Sequence, residues 1–206
     1  MMLTLEDIAK RAVADPDGFE CELEGTNHRL NLWGRFGREW LGGFCLHLFA
    51  TDIQIVEAEM IKTRAGPWAA TFLLTSSVKN SLRHDFLRMA RRSPRGVPPL
   101  PMPEISISVR FSHEEPGHVY AHVVGKNSDG LMAHVLEHFH RLGLAPNRCR
   151  ISTRGGDVDD WFWLAPTTAP SSIVVSEGAR AQLAERASDL SATQTGKARS
   201  HSHDLT

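Results

Sequence analysis

The strongest constraint on this chain is an internal repeat. Displaced by ninety positions, residues 41–74 lie over 131–164 without a gap, and nine of the thirty-four pairs are identical. They are Leu41/Leu131, Leu46/Leu136, Phe49/Phe139, Ile61/Ile151, Thr63/Thr153, Arg64/Arg154, Gly66/Gly156, Phe72/Phe162 and Leu74/Leu164. Upstream, Gly34 and Gly125 correspond if the first copy carries one extra loop residue. We read this as a duplication, so the 206 residues are expected to fold as two like units.

Each copy carries the same order of local signals. Strands at Leu30–Trp33 and Val119–Val124 are each closed by a glycine. After a short loop comes an apolar stretch with helical spacing. It is carried by Leu41, Phe44, Leu48 and Phe49 in copy one, and by Leu131, Val135, Leu136 and Phe139 within Asp129–Leu142 in copy two. Second strands are expected at 53–63 and 148–153, and third strands at 70–75 and 158–164. The hairpin turns between them are Arg64-Ala65-Gly66-Pro67 and Arg154-Gly155-Gly156-Asp157. Helices at 78–92 and 176–190 complete a β-α-β-β-α unit. The expected fold class is therefore α+β, with two ferredoxin-like (βαββαβ-type) units, antiparallel sheets and helices on one face.

The closing strand is not where that class puts it. An alternating strand at Glu104–Phe111 runs into copy two, and Phe19, Cys21 and Leu23 form another just before copy one. Nothing strand-like follows the last helix. A preceding strand is therefore expected in the closing position, and which strand completes which sheet stays open. The domain reading is an N-terminal helix within 1–17 (periodic over Leu5–Ala14), a first domain over 18–113 and a second over 114–190. Residues 93–103 form a proline-rich connector inside the first domain, and 191–206 read as a disordered tail.

Charge narrows the function classes. With 23 Lys+Arg against 24 Asp+Glu, the chain is not a nucleic-acid binder built on a basic face. No apolar run approaches the ~20 residues of a membrane span. The start, Met1-Met2-Leu3-Thr4-Leu5-Glu6-Asp7, lacks the basic and apolar regions of a signal peptide, so a cytoplasmic location is expected. Cys21, Cys45 and Cys149 are odd in number and widely spaced, and they read as buried free thiols.

Three segments of copy two carry a family pattern. They are Tyr120 to Met132, then His140-Arg-Leu-Gly-Leu144, then Arg150-Ile-Ser-Thr-Arg-Gly-Gly-Asp-Val-Asp-Asp-Trp-Phe-Trp-Leu164. This stretch resembles an ACT domain, and more narrowly the paired ACT domains of bacterial PII uridylyltransferases. That pattern has a D-R-P-G-L loop opening a helix, a strand ending in T-x-G, and a third strand with D-x-F. Here the loop reads Asn127-Ser128-Asp129-Gly130-Leu131 and the third-strand motif Asp160-Trp161-Phe162; copy one has Arg35-Phe36-Gly37-Arg38-Glu39-Trp40-Leu41 instead. The resemblance implies a small effector, an amino acid with glutamine first, bound at the loop. Its contacts would be Asn127, Ser128, Asp129, Gly130 and Leu131 in copy two, with Gly34 and Gly37 in copy one. The physics of such a loop agrees, because a glycine turn opening a helix offers free N–H groups and a positive dipole end, which suits a carboxylate.

Other features invite chemistry. His134-Val-Leu-Glu137-His138 fits the H-x-x-E-H pattern of a zinc hydrolase, but copy one has Phe44 and Leu48 at the matching helix positions. Asp157, Asp159 and Asp160 form an acidic cluster that reads as part of a hairpin turn. Trp161 and Trp163 share the sheet face opposite Phe162 and Leu164, where two indoles imply a packing surface. The basic run 88–95 reads as a helix end suited to its dipole. The leading expectation is a non-catalytic regulatory protein that binds an amino acid without cofactor or metal, as a homo-oligomer or with a protein partner. The alternatives are a ligand-free interaction module and, behind it, a zinc-dependent hydrolase.

Overall fold

The computed structural model describes residues 3–15, 17–37, 39–76, 84–92, 105–111, 119–128 and 130–166. The expected connector at 93–103, the helix at 176–190, the tail at 191–206 and Asp129 lie outside the described residues, as does most of 78–85. The first element is helix α1 (Leu5–Ala14), started by a capping box in which Thr4 and Asp7 satisfy each other's backbone N–H. Then come β1 (Asp17–Glu24), β2 (Asn27–Gly34), α2 (Trp40–Ala50), β3 (Ile53–Lys62), β4 (Trp68–Ser76) and α3 (Phe86–Arg91). The second half has β5 (Ile105–Phe111), β6 (Val119–Lys126), α4 (Leu131–Arg141), β7 (Leu144–Arg154) and β8 (Asp157–Pro166).

The fold is α+β. All eight strands form one antiparallel sheet in the order β1-β2-β4-β3-β7-β8-β6-β5. The preceding strand does take the closing position in each half. β1 pairs with β2 through a hairpin, with Asp17 opposite Gly34, and β5 pairs with β6, with Ile105 opposite Gly125. A strand arriving from upstream runs in the same direction as one returning from a second helix would, so either can satisfy the edge of the first strand. The halves join at the centre, where Glu57–Ile61 of β3 pair with Arg148–Ser152 of β7.

The repeat in the backbone is real, but its register differs from the sequence expectation. Helix caps Glu39/Gly130 and Thr51/Leu142 match at a displacement of 91, as do the strand starts Ile53 and Leu144. So do the positive-φ residues Asp52 and Gly143, and the bulges between Ile55/Glu57 and Pro146/Arg148. The displacement returns to 90 only at the third strands, because the β3–β4 loop is one residue longer. There the pair Lys62/Trp68 answers Thr153/Val158. Six of the nine identities, from Leu41/Leu131 to Arg64/Arg154, therefore fall at positions that are not equivalent. Ile61 shows it: half-buried beneath α1, whereas Ile151 lies in the main core.

Helices α2, α3 and α4 cover one sheet face. Between them and the strands lies the main core, including Phe44, Phe72, Phe86, Phe139 and Phe162, each fully buried. Helix α1 crosses to the other face and seals only the first half of it, with Ile8 and Ala12 against Trp33 and Ala69. On the second half that face carries Trp161 and Trp163, both half-buried, as the alternation predicts. His122 stacks on Trp161 at 4.0 Å, and the Arg148 guanidinium lies 4.7 Å over Trp163.

Candidate functional site

The turn that opens α4 is built from three local constraints. Asn127 N–H donates to Gly156 C=O at 2.8 Å, tying the turn to the β7–β8 hairpin, where Gly155 and Gly156 both hold positive φ. Leu131 N–H donates to Ser128 C=O at 3.1 Å, closing a four-residue turn. Gly130, at φ 72° and ψ 8°, occupies its third position in the left-handed region, which glycine enters without steric cost. Gly130 is also the N-cap, and it has no side chain with which to cap the helix. Geometry leaves the first N–H groups of α4 without intrahelical partners. Met132 and Ala133 stand in this first turn.

A half-open cleft lies at this helix start, between the halves of the chain. From the first half it takes Cys45, Leu48 and Phe49 of α2 and Ile53 and Gln54 of β3. From the second it takes Asn127, Ser128, Gly130 and Leu131, together with Met132 and Ala133. Ile151, Val158 and Asp160 of β7 and β8 also line it. Its volume is about 80 Å³, room for roughly half a dozen waters at ~10–15 Å³ each, which is the scale of a small polar molecule.

Asp160 is the unusual member. It is 0% exposed, on the strand face that carries Phe162 and Leu164. Ser152 N–H donates to its Oδ1 at 2.9 Å, whereas Oδ2 is buried with no hydrogen-bond partner among the described residues. Burial pushes its pKa up to about 7; the Ser152 N–H pulls the other way, Asp159 adds to the rise and His122 opposes it. The thiols of Cys45 and Cys149 are pushed up by burial, and the nearby Asp160 charge contributes to both. Neither is a thiolate at neutral pH.

Of the residues expected at the site, Asn127, Ser128, Gly130 and Leu131 come together in the cleft, and Asp129 lies outside the described residues. Gly34 and Gly37 do not line it. A Cβ on Gly34 would run into the Asp17 carboxylate and the Phe36 ring, so this glycine serves close packing. The matching start of α2 is plugged by Phe36, Trp40 and Trp68, with ring centroids 5.0 and 5.7 Å apart. The third strand was expected over 158–164 and includes Asp160, but reading the acidic cluster as part of a hairpin turn missed that this carboxyl is buried. The turn is only Gly155-Gly156, and Asp160 sits inside β8. The signal was present, because Asp160 is two residues from Phe162 and must share its face.

The H-x-x-E-H residues lie on α4, where Glu137 pairs with Arg141 at 3.0 Å and burial lowers the His138 pKa. Among the described residues no three His, Cys, Asp or Glu side chains are grouped to hold a metal. Asp159 pairs with His122 at 2.7 Å and Asp157 with Lys126 at 2.5 Å, so the acidic cluster is split between two faces and solvent. Cys21 is half-buried, and Cys45 and Cys149 are buried, all three as free thiols. Among the described residues no helix is long and apolar enough to cross a membrane.

No family model matches this sequence, and no curated protein is significantly similar to it. Among solved structures it is similar to aspartate kinase from Synechocystis, at 12% identity and a TM-score of 0.37. The match covers 78% of this chain and 26% of the kinase chain. At that overlap the likeness assigns neither fold family nor activity.

Proposed function

We propose that this chain is a non-catalytic regulatory protein whose two halves are ACT-like units and whose cleft binds a small amino acid. The observation that carries the reading is the cleft at the glycine-turned start of α4, lined by both halves. An effector carboxylate would lie against the first-turn N–H groups, which have no intrahelical partners, and the positive end of the helix dipole. Because the lining comes from α2 and β3 on one side and from α4, β7 and β8 on the other, a ligand held there bears on how the halves pack. It shifts that packing only through differential affinity. Glutamine is the first effector to try, on the strength of the resemblance in the loop and third strand.

The second reading is an interaction module without a ligand, favoured by the half-exposed indoles of Trp161 and Trp163 on the half of the sheet that no helix covers among the described residues. Such a face suits a second copy or a protein partner. A thermal-shift panel of the twenty amino acids on purified, chelator-treated protein separates the two. An effector at a hundred times its dissociation constant adds ~2.7 kcal/mol, a rise of roughly 5–10 °C for a chain of this size. No shift with any amino acid rejects the sensor and leaves the interaction module.

A further inference from the structure

The cleft has two chemically opposite poles. One is the first turn of α4, entered through the left-handed Gly130, whose positive dipole end attracts an anion. The other is the Asp160 carboxyl, fully buried, lining the same space, with one oxygen held by Ser152 N–H and the other without a partner. A buried polar atom left unpaired in the free protein is costly, and its persistence points to a partner that arrives with a ligand. The first half supplies an internal control. At the matching register position it has Ala70, also fully buried, beside the aromatic plug. The fold therefore does not need a carboxyl there, and only the half with an open cleft carries one.

We propose that Asp160 is the recognition group of the cleft and accepts a hydrogen bond from a ligand nitrogen, so that the site selects small molecules with an amine at one end and a carboxylate at the other. The inference rests on the sensor reading and adds to it a specificity-determining residue outside the loop. The amine end enters toward β8, and the carboxylate stays at α4. A carboxylic acid without the amine keeps only the helix pole and loses the selectivity.

The test compares the full-length wild type with Asp160→Asn, which keeps the volume, and Asp160→Ala, which copies Ala70. Asp159→Asn, one residue along on the opposite face, is the control. The probes are the twenty L-amino acids and, for each one that raises the melting temperature, its deaminated acid and its decarboxylated amine, with affinities measured by calorimetry. A ligand ammonium beside the carboxyl favours its ionised form, so the bond it accepts is charge-assisted, and replacing it weakens binding roughly ten- to hundredfold. That loss is expected in both Asp160 variants for amino acids, with none in Asp159→Asn, and the deaminated acid should bind wild type and variants alike. An amino acid that binds wild type and both Asp160 variants equally overturns this inference and leaves the sensor reading standing. A panel in which nothing binds the wild type overturns both.

Discussion

The buried carboxyl of Asp160 gives the molecule a pH dependence opposite to the usual acid lability. In the folded chain it keeps its proton up to about pH 7, against 3.8 for an ordinary aspartate. Between those values the folded state binds the extra proton, so unfolding free energy falls as pH rises, by up to ~1.4 kcal/mol per unit. Over about three units the loss reaches ~4 kcal/mol, a large share of the ~5–15 kcal/mol that holds a domain together. Below the unfolded value both states are protonated, above the folded value both are ionised, and the slope vanishes at either end. His138 acts with the opposite sign. Its depressed pKa costs stability as pH falls through the ordinary histidine range near 6.5. The difference between wild type and Asp160→Asn cancels that contribution. Urea denaturation of both proteins at pH 4.5, 5.5, 6.5 and 7.5 and fixed ionic strength measures it. Wild type should lose ground to the variant steadily across the series and level off past pH 7. A constant difference, or one growing in favour of wild type, would refute the assignment of a neutral buried acid.

Other perturbations have defined outcomes. Gly130→Val forces a β-branched residue to φ 72° and should cost about 1–2 kcal/mol, read as a lower urea midpoint. Gly130→Asn should cost less, because asparagine tolerates that region. Ile8→Ala empties the seal between α1 and the sheet and should cost about 2–5 kcal/mol. It should also raise acrylamide quenching of Trp33, which is 6% exposed in the intact protein. Thr4→Ala removes the capping box and should cost about 0.5–2 kcal/mol, with the change in amide exchange confined to α1.

The elements were legible because their patterns are local. Helix α1 was expected at Leu5–Ala14 and spans those residues, since Thr4 caps it and Ile8 and Ala12 give it one apolar face. The third strands were legible because Phe72 and Leu74 lie two apart in a short apolar run flanked by Thr71 and Thr75 in one half, and Phe162 and Leu164 alternate with indoles in the other. The register of the repeat was not, because helical leucines match each other at more than one displacement while bulges and loop lengths leave no mark on identity. The loop at 127–131 was legible through its glycine. Its other wall was not, since Cys45, Leu48 and Gln54 reach the cleft only through the join of β3 to β7. The strand position of Asp160 was legible but its burial was not, because an aspartate close to a Gly-Gly turn reads as solvated, and tertiary burial overrides that local preference.

The central seam also sets an order of events in folding. Every other strand pairing joins residues close along the chain, the widest being His28 with Leu74. The seam joins partners 87 to 95 positions apart, from Ile61 with Arg148 to Glu57 with Ser152. Contacts across long loops carry the larger closure entropy and slow the search for the native state. Each half can collapse on its own short-range pairings first, and β3 then zips onto β7 as a late step. A weakened seam, such as Ala58→Gly, should accordingly leave the folding rate nearly unchanged and speed unfolding instead. The cleft, which straddles this junction, comes into being only when the last strands meet.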